Sequence, residues 1–184
     1  MHPRTAILWI LAVLAATLCP TPVGVCAPPS DQAARAAEAA EHQPATVGEA
    51  RTRARILHET IHGTLQVVHR DFFDPDQRLA IPSRSLEDVF KELGRSWQVQ
   101  IHWLAVSADP MNVDNNPRND FEKQAVRELA AGKPEFETVE GGIYRFAGSI
   151  RLSSQCLKCH APRRTGTEDR AAGLVISMPL RTAP

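Results

Sequence analysis

Five consecutive residues limit the possible fold and function of this chain more than any other feature does: Cys156, Leu157, Lys158, Cys159 and His160. Two thiols three positions apart, followed at once by an imidazole, form the C-x-x-C-H pattern of covalent haem attachment. The spacing lets both thiols reach the vinyl groups of one porphyrin and carries the adjacent imidazole under the iron, where histidine is a common axial ligand. The motif therefore predicts one haem c, bound covalently through Cys156 and Cys159, with His160 as the proximal iron ligand.

The first residues of the chain predict export. The segment Met1 to Ala6 carries Arg4 and precedes an apolar run from Ile7 to Leu18, which is the pattern of a signal peptide. This run of twelve residues falls short of the roughly 20 that a spanning helix needs. We therefore expect residues 1–27 to be removed and the mature chain to have no stable membrane span, whereas a retained segment would tether it to a membrane. Because c-type haem is attached outside the cytoplasm, the motif and the export signal both indicate a periplasmic or otherwise exported protein.

Three other interpretations of the two cysteines stay open. The first is a disulfide between Cys156 and Cys159, which leaves His160 without a role. The second is a thioredoxin-like redox pair, which needs a βαβ context that the sequence does not show. The third is a zinc site that recruits His160 and a further histidine such as His102. A disulfide or a zinc ion would make the chain a stabilised binding domain in place of a haem protein.

Charge and length narrow the function classes further. Lys and Arg total 21, and Asp and Glu also total 21, so the chain lacks the basic field that nucleic acid or anionic lipid requires. Nucleic acid is therefore not an expected partner. The chain of 184 residues suits one main domain with short flanking segments. No acid and base set accompanies the motif, so we expect no enzymatic activity.

Apolar spacing and turn signals predict an α+β fold with an antiparallel sheet. Residues 28–50 are rich in Ala, Glu, Gln and Pro and predict a linker, so the folded domain is expected over residues 51–184. Gly94 and Gly132 are expected to end two of the helices. The cysteine motif is expected in the loop between the last two strands. The expected elements are helices over Arg51–Phe73, Ser85–Leu93 and Asp120–Ala131, and strands over Val99–Val106, Gly142–Leu152 and Gly173–Leu180.

The first predicted helix offers three candidates for the second iron ligand. His58, His62 and His69 fall within an arc of about 40° on one helix face, at the edge of an apolar stripe formed by Leu57, Ile61, Val68 and Phe72. One haem can take only one of them, since His58 and His69 stand about 16 Å apart along the helix.

Several residues elsewhere remain alternatives for the haem site. Met178 and Met111 are the alternative iron ligands, although a core position is the commoner explanation of Met178. Arg145 and Arg151 are candidates for pairing with haem propionates. His102 alternates with Ile101 and Trp103 and is expected to be exposed.

The motif and two further segments resemble a known family. Cys156 to His160 is followed by Gly173 to Leu180, and Met111 to Pro117 leads to Phe121 and Glu122. This arrangement is similar to the periplasmic PAS-like monohaem c domain, which is found alone or in front of bacterial sensor kinases and chemoreceptors. Met111 and Val113 stand where that family has arginine and proline.

The resemblance implies a long N-terminal helix packed on a PAS-like sheet, with the distal iron ligand drawn from that helix. His69 is the first choice because it follows the apolar pair Val67-Val68, with His62 second and His58 third. Such a protein would be a redox or gas-responsive haem module, or else a simple periplasmic electron carrier. Either function requires a redox or signalling protein as partner.

Overall fold

Helices and strands are mixed along the chain without a βαβ repeat. The computed structural model describes residues 37–72, 74, 81–107, 110, 112–153, 156–157, 160–161, 166 and 170–181. A short 3-10 helix spans Val113–Asn115. The main helices are α1 (Val47–Asp71), α2 (Pro82–Trp97) and α3 (Asp120–Ala130), and the strands are β1 (Gln100–Ala105), β2 (Glu135–Glu140), β3 (Ile143–Leu152) and β4 (Arg170–Pro179).

The four strands form a single antiparallel sheet in the order β1-β4-β3-β2. In its register, Ile176 of β4 faces Ile101 of β1 on one side and Phe146 of β3 on the other. The predicted α+β class with an antiparallel sheet is therefore confirmed. The motif also lies where the sequence predicted, in the connection between β3 and β4.

The two faces of the sheet bury two separate cores because side chains alternate along each strand. Helices α1 and α2 cover the first face, whose fully buried members include Tyr144, Phe146 and Ile176. Helix α3 covers the opposite face, where Phe121 and Leu129 meet side chains of β1, β3 and β4. The sheet is thus buried on both sides, and the connection after β3 emerges at one end of it.

Helix α1 begins four residues earlier than the sequence predicted. The side chain of Thr46 accepts a hydrogen bond from the Glu49 N–H at 3.1 Å, and the Glu49 carboxylate accepts one from the Ala45 N–H at 2.9 Å. These bonds satisfy backbone donors that the first helical turn leaves open. Part of the predicted linker is therefore helical, and Ala50 is fully buried.

Helix α2 is longer than predicted at both ends. Its first residue is Pro82, whose fixed φ suits that position. Gly94 does not end the helix, which continues to Trp97 and stops at Gln98 in the left-handed conformation, φ 57°.

The sequence prediction missed strand β2 completely. Three of its six residues are glutamates, and that composition disfavours a strand. β2 tolerates them because it is an edge strand that pairs only with β3, so charged side chains stay close to solvent.

No helix within the described part of the chain is both long and apolar enough to cross a membrane. The predicted signal peptide, residues 1–27, lies outside the described residues.

Candidate functional site

The described part of the cysteine motif is helical, where the sequence predicted a loop. The Leu157 N–H donates to the Ser153 carbonyl at 3.0 Å, and the Ala161 N–H donates to the Leu157 carbonyl at 3.1 Å. Such i to i−4 bonds place Cys156 and His160 on the same face of the turn. Cys156 is half-buried, and its Sγ lies 3.3 Å from the Ser153 hydroxyl. Cys159 lies outside the described residues.

Helix α1 runs along β3 in the same direction as the strand. Arg51 pairs with Glu137, which faces Phe146 in the sheet, and Arg55 pairs with Glu135, which faces Gly148. Contacts later in the helix therefore lie further along β3. These two pairs bind the N-terminal half of α1 to the β2–β3 edge and fix its orientation on the sheet.

The C-terminal part of α1 extends past the end of β3. His58 packs on Gly148, and His69 lies 11 residues further along the helix, a rise of about 16 Å. From Gly148 to the strand's last residue, Leu152, the chain advances only about 14 Å. His69 is therefore carried beyond the sheet to the level at which the motif segment begins.

The electrostatics of His160 agree with this placement. Desolvation lowers the pKa of the surface residue His160, and the nearby His69 lowers it further. The Nδ1 atom of His69 is 3.0 Å from the Leu65 carbonyl oxygen. Because that oxygen can only accept, Nδ1 carries the proton, and Nε2 is left as the nitrogen that can ligate a metal.

The helix face around His69 is apolar. Leu65 and Val68 are half-buried beside the histidine, and Phe72 is 72% exposed. At 100° per residue these side chains share one face with His69. This face continues the stripe that packs on the sheet in the first half of α1. A flat apolar group bound next to His160 would cover it.

The structure places His58 in the core, where the sequence predicted the edge of a stripe. His58 is 6% exposed, and its ring meets Phe146 edge to face with ring centres 5.8 Å apart. Its Nε2 has no hydrogen-bond partner among the described residues. This burial against the sheet separates His58 from the motif.

His62 lies between the two other histidines and is paired with His58 in space. Their ring centres are 5.7 Å apart, and His62 Nε2 is 2.7 Å from the Gln66 side-chain nitrogen. Burial and then the neighbouring His58 lower the pKa of His62. The structure thus groups His69 with His160, and His58 with His62.

Two of the remaining candidates lie far from the motif. Met178 is 2% exposed in the core, eight residues and about 27 Å along β4 from Arg170. That distance contradicts methionine ligation by this residue. Arg145 lies six residues, or about 20 Å, further from the motif than Arg151, so only Arg151 remains a candidate for a propionate. Met111 lies outside the described residues.

His102 is half-buried, where exposure was predicted, because α3 covers its face of the sheet. Its Nε2 lies 3.3 Å from the buried Glu122 carboxylate, and burial lowers the pKa of His102. Glu122 in turn accepts hydrogen bonds from the Arg118 N–H and the Asn119 amide, both at 2.6 Å. His102 is thus engaged on the α3 face of β1. Within the described residues, no three His, Cys, Asp or Glu side chains are arranged to hold a metal ion.

Comparison with known proteins identifies relatives of the chain. The sequence model of the Tll0287-like family matches residues 41–176. The crystal structure of the cyanobacterial haem protein Tll0287 superposes with a TM-score of 0.53 at 16% sequence identity, covering 75% of this chain and 96% of that one. That likeness shows a shared fold, in agreement with the resemblance predicted from the motif. No curated protein matches the sequence.

Proposed function

Because this chain belongs to the Tll0287-like family, as its match over residues 41–176 shows, we propose that it is an exported domain that binds one haem c. The observation that supports the proposal is the length of α1, which carries His69 and the exposed Phe72 past the end of β3, on the side of the sheet where the C-x-x-C-H segment begins. The haem protein Tll0287, which shares the fold, supports the same cofactor class.

The residues present fit a covalently bound haem with two imidazole ligands. Cys156 and Cys159 would hold the porphyrin, His160 would be the proximal ligand and His69 the distal ligand. Iron held in this way supplies one-electron redox chemistry at a potential below that of a histidine and methionine pair. The bond from His69 Nδ1 to the Leu65 carbonyl fixes the orientation of that ring, and Nε2 is the nitrogen that would bind the iron.

The surrounding side chains would exclude water from one side of the group. Leu65, Val68 and Phe72 offer an apolar surface that loses contact with water when a porphyrin covers it. Arg151, at the end of β3 nearest the motif, is placed to meet a propionate. None of these residues forms an acid and base set for turnover, so we assign a redox or gas-responsive module and no enzymatic activity.

Covalent attachment is tested by expressing the chain with a haem-attachment system. The protein should keep its haem stain through acid extraction of free haem and denaturing electrophoresis, because thioether bonds survive both treatments. The double variant Cys156→Ala, Cys159→Ala should lose the stain. A wild-type protein that carries zinc or a disulfide without haem contradicts the proposal.

The distal ligand is tested by replacing the α1 histidines one at a time. His69→Ala should open the sixth coordination position, shift the absorption spectrum from low to high spin and admit carbon monoxide. His62→Ala is the matched control and should leave the iron spectrum unchanged. If the spectrum responds to His62→Ala but not to His69→Ala, the assignment of His69 is wrong.

A simple electron carrier is the second candidate function. Rapid electron exchange with a periplasmic cytochrome, without binding of carbon monoxide or nitric oxide to the reduced protein, would favour the carrier. Binding of either gas at physiological concentration would favour the responsive module. In both cases we expect the partner to be a periplasmic redox or signalling protein.

A further inference from the structure

A surface cleft on the α3 side of the sheet is lined by an arginine and, within the described part of the chain, by no acidic residue. The cleft has a volume of about 480 Å³ and lies where the end of β1 meets the start of β4. Arg170 supplies the positive charge, and Ser107 and Asn116 add polar groups. The other described lining residues are apolar and compact: Ala105, Val106, Pro110, Pro117 and Val126. This lining suits a small organic anion.

Arg170 is anchored at one nitrogen of its guanidinium and keeps a buried donor at another. Its Nη1 donates to the Ser107 carbonyl at 2.9 Å, whereas its Nε is buried and has no hydrogen-bond partner among the described residues. Ser107 is itself fixed to β4, because its N–H donates to the Ala171 carbonyl at 3.0 Å and its Oγ accepts from the Ala171 N–H at 2.7 Å. The guanidinium is therefore held in position while its charge is not balanced by a carboxylate of the described lining.

The unpartnered Nε lies on the edge of the guanidinium that recognises a carboxylate. Nε and Nη2 share that edge and can donate two parallel hydrogen bonds to the two oxygens of one carboxylate. A buried donor without an acceptor destabilises a folded chain, and a bound carboxylate would supply the acceptor. From this arrangement we propose that the cleft binds a small diffusible monocarboxylate through Arg170. The proposal does not depend on the proposed haem.

The apolar walls of the cleft favour an anion that carries a short hydrocarbon chain. Val106 and Val126 pack at the margin of the core under α3 and are only partly buried, so they offer apolar surface to a ligand. Covering such surface favours binding, and inorganic phosphate has no apolar part that could do so. The volume falls within the range of about 300–1,000 Å³ that is typical of small-molecule sites. Butyrate, which joins one carboxylate to a three-carbon chain, is therefore a suitable probe.

The cleft and the proposed haem site belong to different sides of the sheet. Val126 lies on α3, which covers one face, whereas His69 lies on α1, which covers the other. Arg170 nevertheless follows His160 by only ten residues. A propionate of the proposed haem is therefore the second possible source of a carboxylate, and the experiment must distinguish it from a diffusible acid.

The test is a titration of the full chain, with its haem reduced, by sodium butyrate in ¹H–¹⁵N NMR spectroscopy. We expect a saturable downfield shift of the Arg170 Nε–H resonance, because this proton gains an acceptor. Butyramide has nearly the same shape without the charge and should bind at least about tenfold more weakly. Inorganic phosphate should also bind at least about tenfold more weakly, since it leaves the apolar walls uncovered.

Two arginine variants separate recognition at the cleft from general attraction of anions. Arg170→Lys keeps the charge and loses the two-donor edge, so butyrate binding should weaken at least about tenfold; Arg170→Gln should abolish it. Arg145→Gln is the matched control, since it removes a half-buried arginine of the same sheet. Arg145 pairs with Ser177, seven residues along β4 from Arg170, and this variant should bind butyrate as the wild type does.

A variant outside Arg170 keeps the test valid if the arginine variants fail to fold. Val126→Phe should fill the cleft from α3 and block butyrate while Arg170 stays in place. The proposal is overturned if butyramide or phosphate binds as well as butyrate, or if Arg170→Gln or Val126→Phe binds butyrate as the wild type does. It is also overturned if the wild type shows no saturable response to butyrate. In that case, a changed haem reduction potential in Arg170→Gln would identify a haem propionate as the occupant.

Discussion

Replacing Gly148 by alanine should destabilise the protein, because a β-carbon at that position would overlap the His58 ring. An added Cβ would lie 2.3 Å from His58 Cδ2 and 2.4 Å from Nε2. Carbon atoms in contact are about 3.5 Å apart, so the ring or the strand must move by about 1 Å. The ring has little room, since it is 6% exposed and meets Phe146 on another side.

The expected cost follows from two opposing effects. Overpacking of a dense core typically costs about 1–3 kcal/mol, and replacing a strand glycine by alanine otherwise gains roughly 0.5–1 kcal/mol. Gly148→Ala should therefore lose about 1 kcal/mol, and at most about 2.5 kcal/mol, in the free energy of unfolding. Gly63→Ala is the matched control, because a Cβ on that exposed helical glycine meets nothing within 4 Å. It should gain up to about 1 kcal/mol.

Urea denaturation followed by circular dichroism measures both effects, with the midpoint and slope fitted separately. The same experiment in a His58→Ala background isolates the overlap, since without the ring Gly148→Ala should gain roughly 0.5–1 kcal/mol in place of the loss. If Gly148→Ala is as stable as wild type, or costs the same with and without the His58 ring, the described packing of α1 on β3 is wrong.

Three further outcomes are expected from contacts described above. Thr46→Ala removes the N-cap of α1 and should cost about 1 kcal/mol in urea denaturation; Asn119→Ala removes the N-cap of α3 and should cost a similar amount. The hydrogen bond from Arg51 lowers the pKa of Glu137 below its unfolded value of 4.5. The ionised Glu137 therefore contributes fully to stability above pH 4.5, and this contribution is lost as the pH falls through the folded pKa. Glu137→Gln should abolish that part of the acid-induced loss, measured as the unfolding midpoint from pH 6 to pH 3, and an unchanged pH profile would contradict the pairing.

The orientation of α1 about its own axis could not be predicted from the sequence. The prediction followed the large apolar residues, such as Leu57 and Phe72, and placed the histidines at the edge of the stripe. In the structure, Ala50 and Ala54 occupy the centre of the interface, because small side chains let the helix approach the sheet closely. The helix is therefore rotated about its axis so that His58 also faces the sheet. A pattern that relies on the large apolar residues could not predict this rotation.

Other features of the fold could be predicted from the sequence because they depend on residues that are close together in the chain. The C-x-x-C-H spacing and the strands on both sides of it needed no tertiary information, and Gly132 ends α3 in a left-handed conformation, φ 89°, as its position predicted. The burial of His102 depends instead on α3, which approaches β1 only in the folded chain. Strand β2 likewise depends on pairing with β3, since its own composition opposes a strand.

The position of β4 has a consequence for the order of folding. β4 follows the cysteine motif in the chain, yet it is a central strand that pairs with β1 through contacts such as Gln100 with Ser177, 77 residues apart. Before β4 is in place, β1 shares no neighbour with the β2–β3 hairpin, and contacts between such distant segments form slowly. The motif therefore leaves the ribosome while the sheet is still open, and the same order would hold at the export machinery if the chain is exported as proposed. The proposed attachment of haem would meet thiols on a chain whose core is incomplete, and sheet closure would follow.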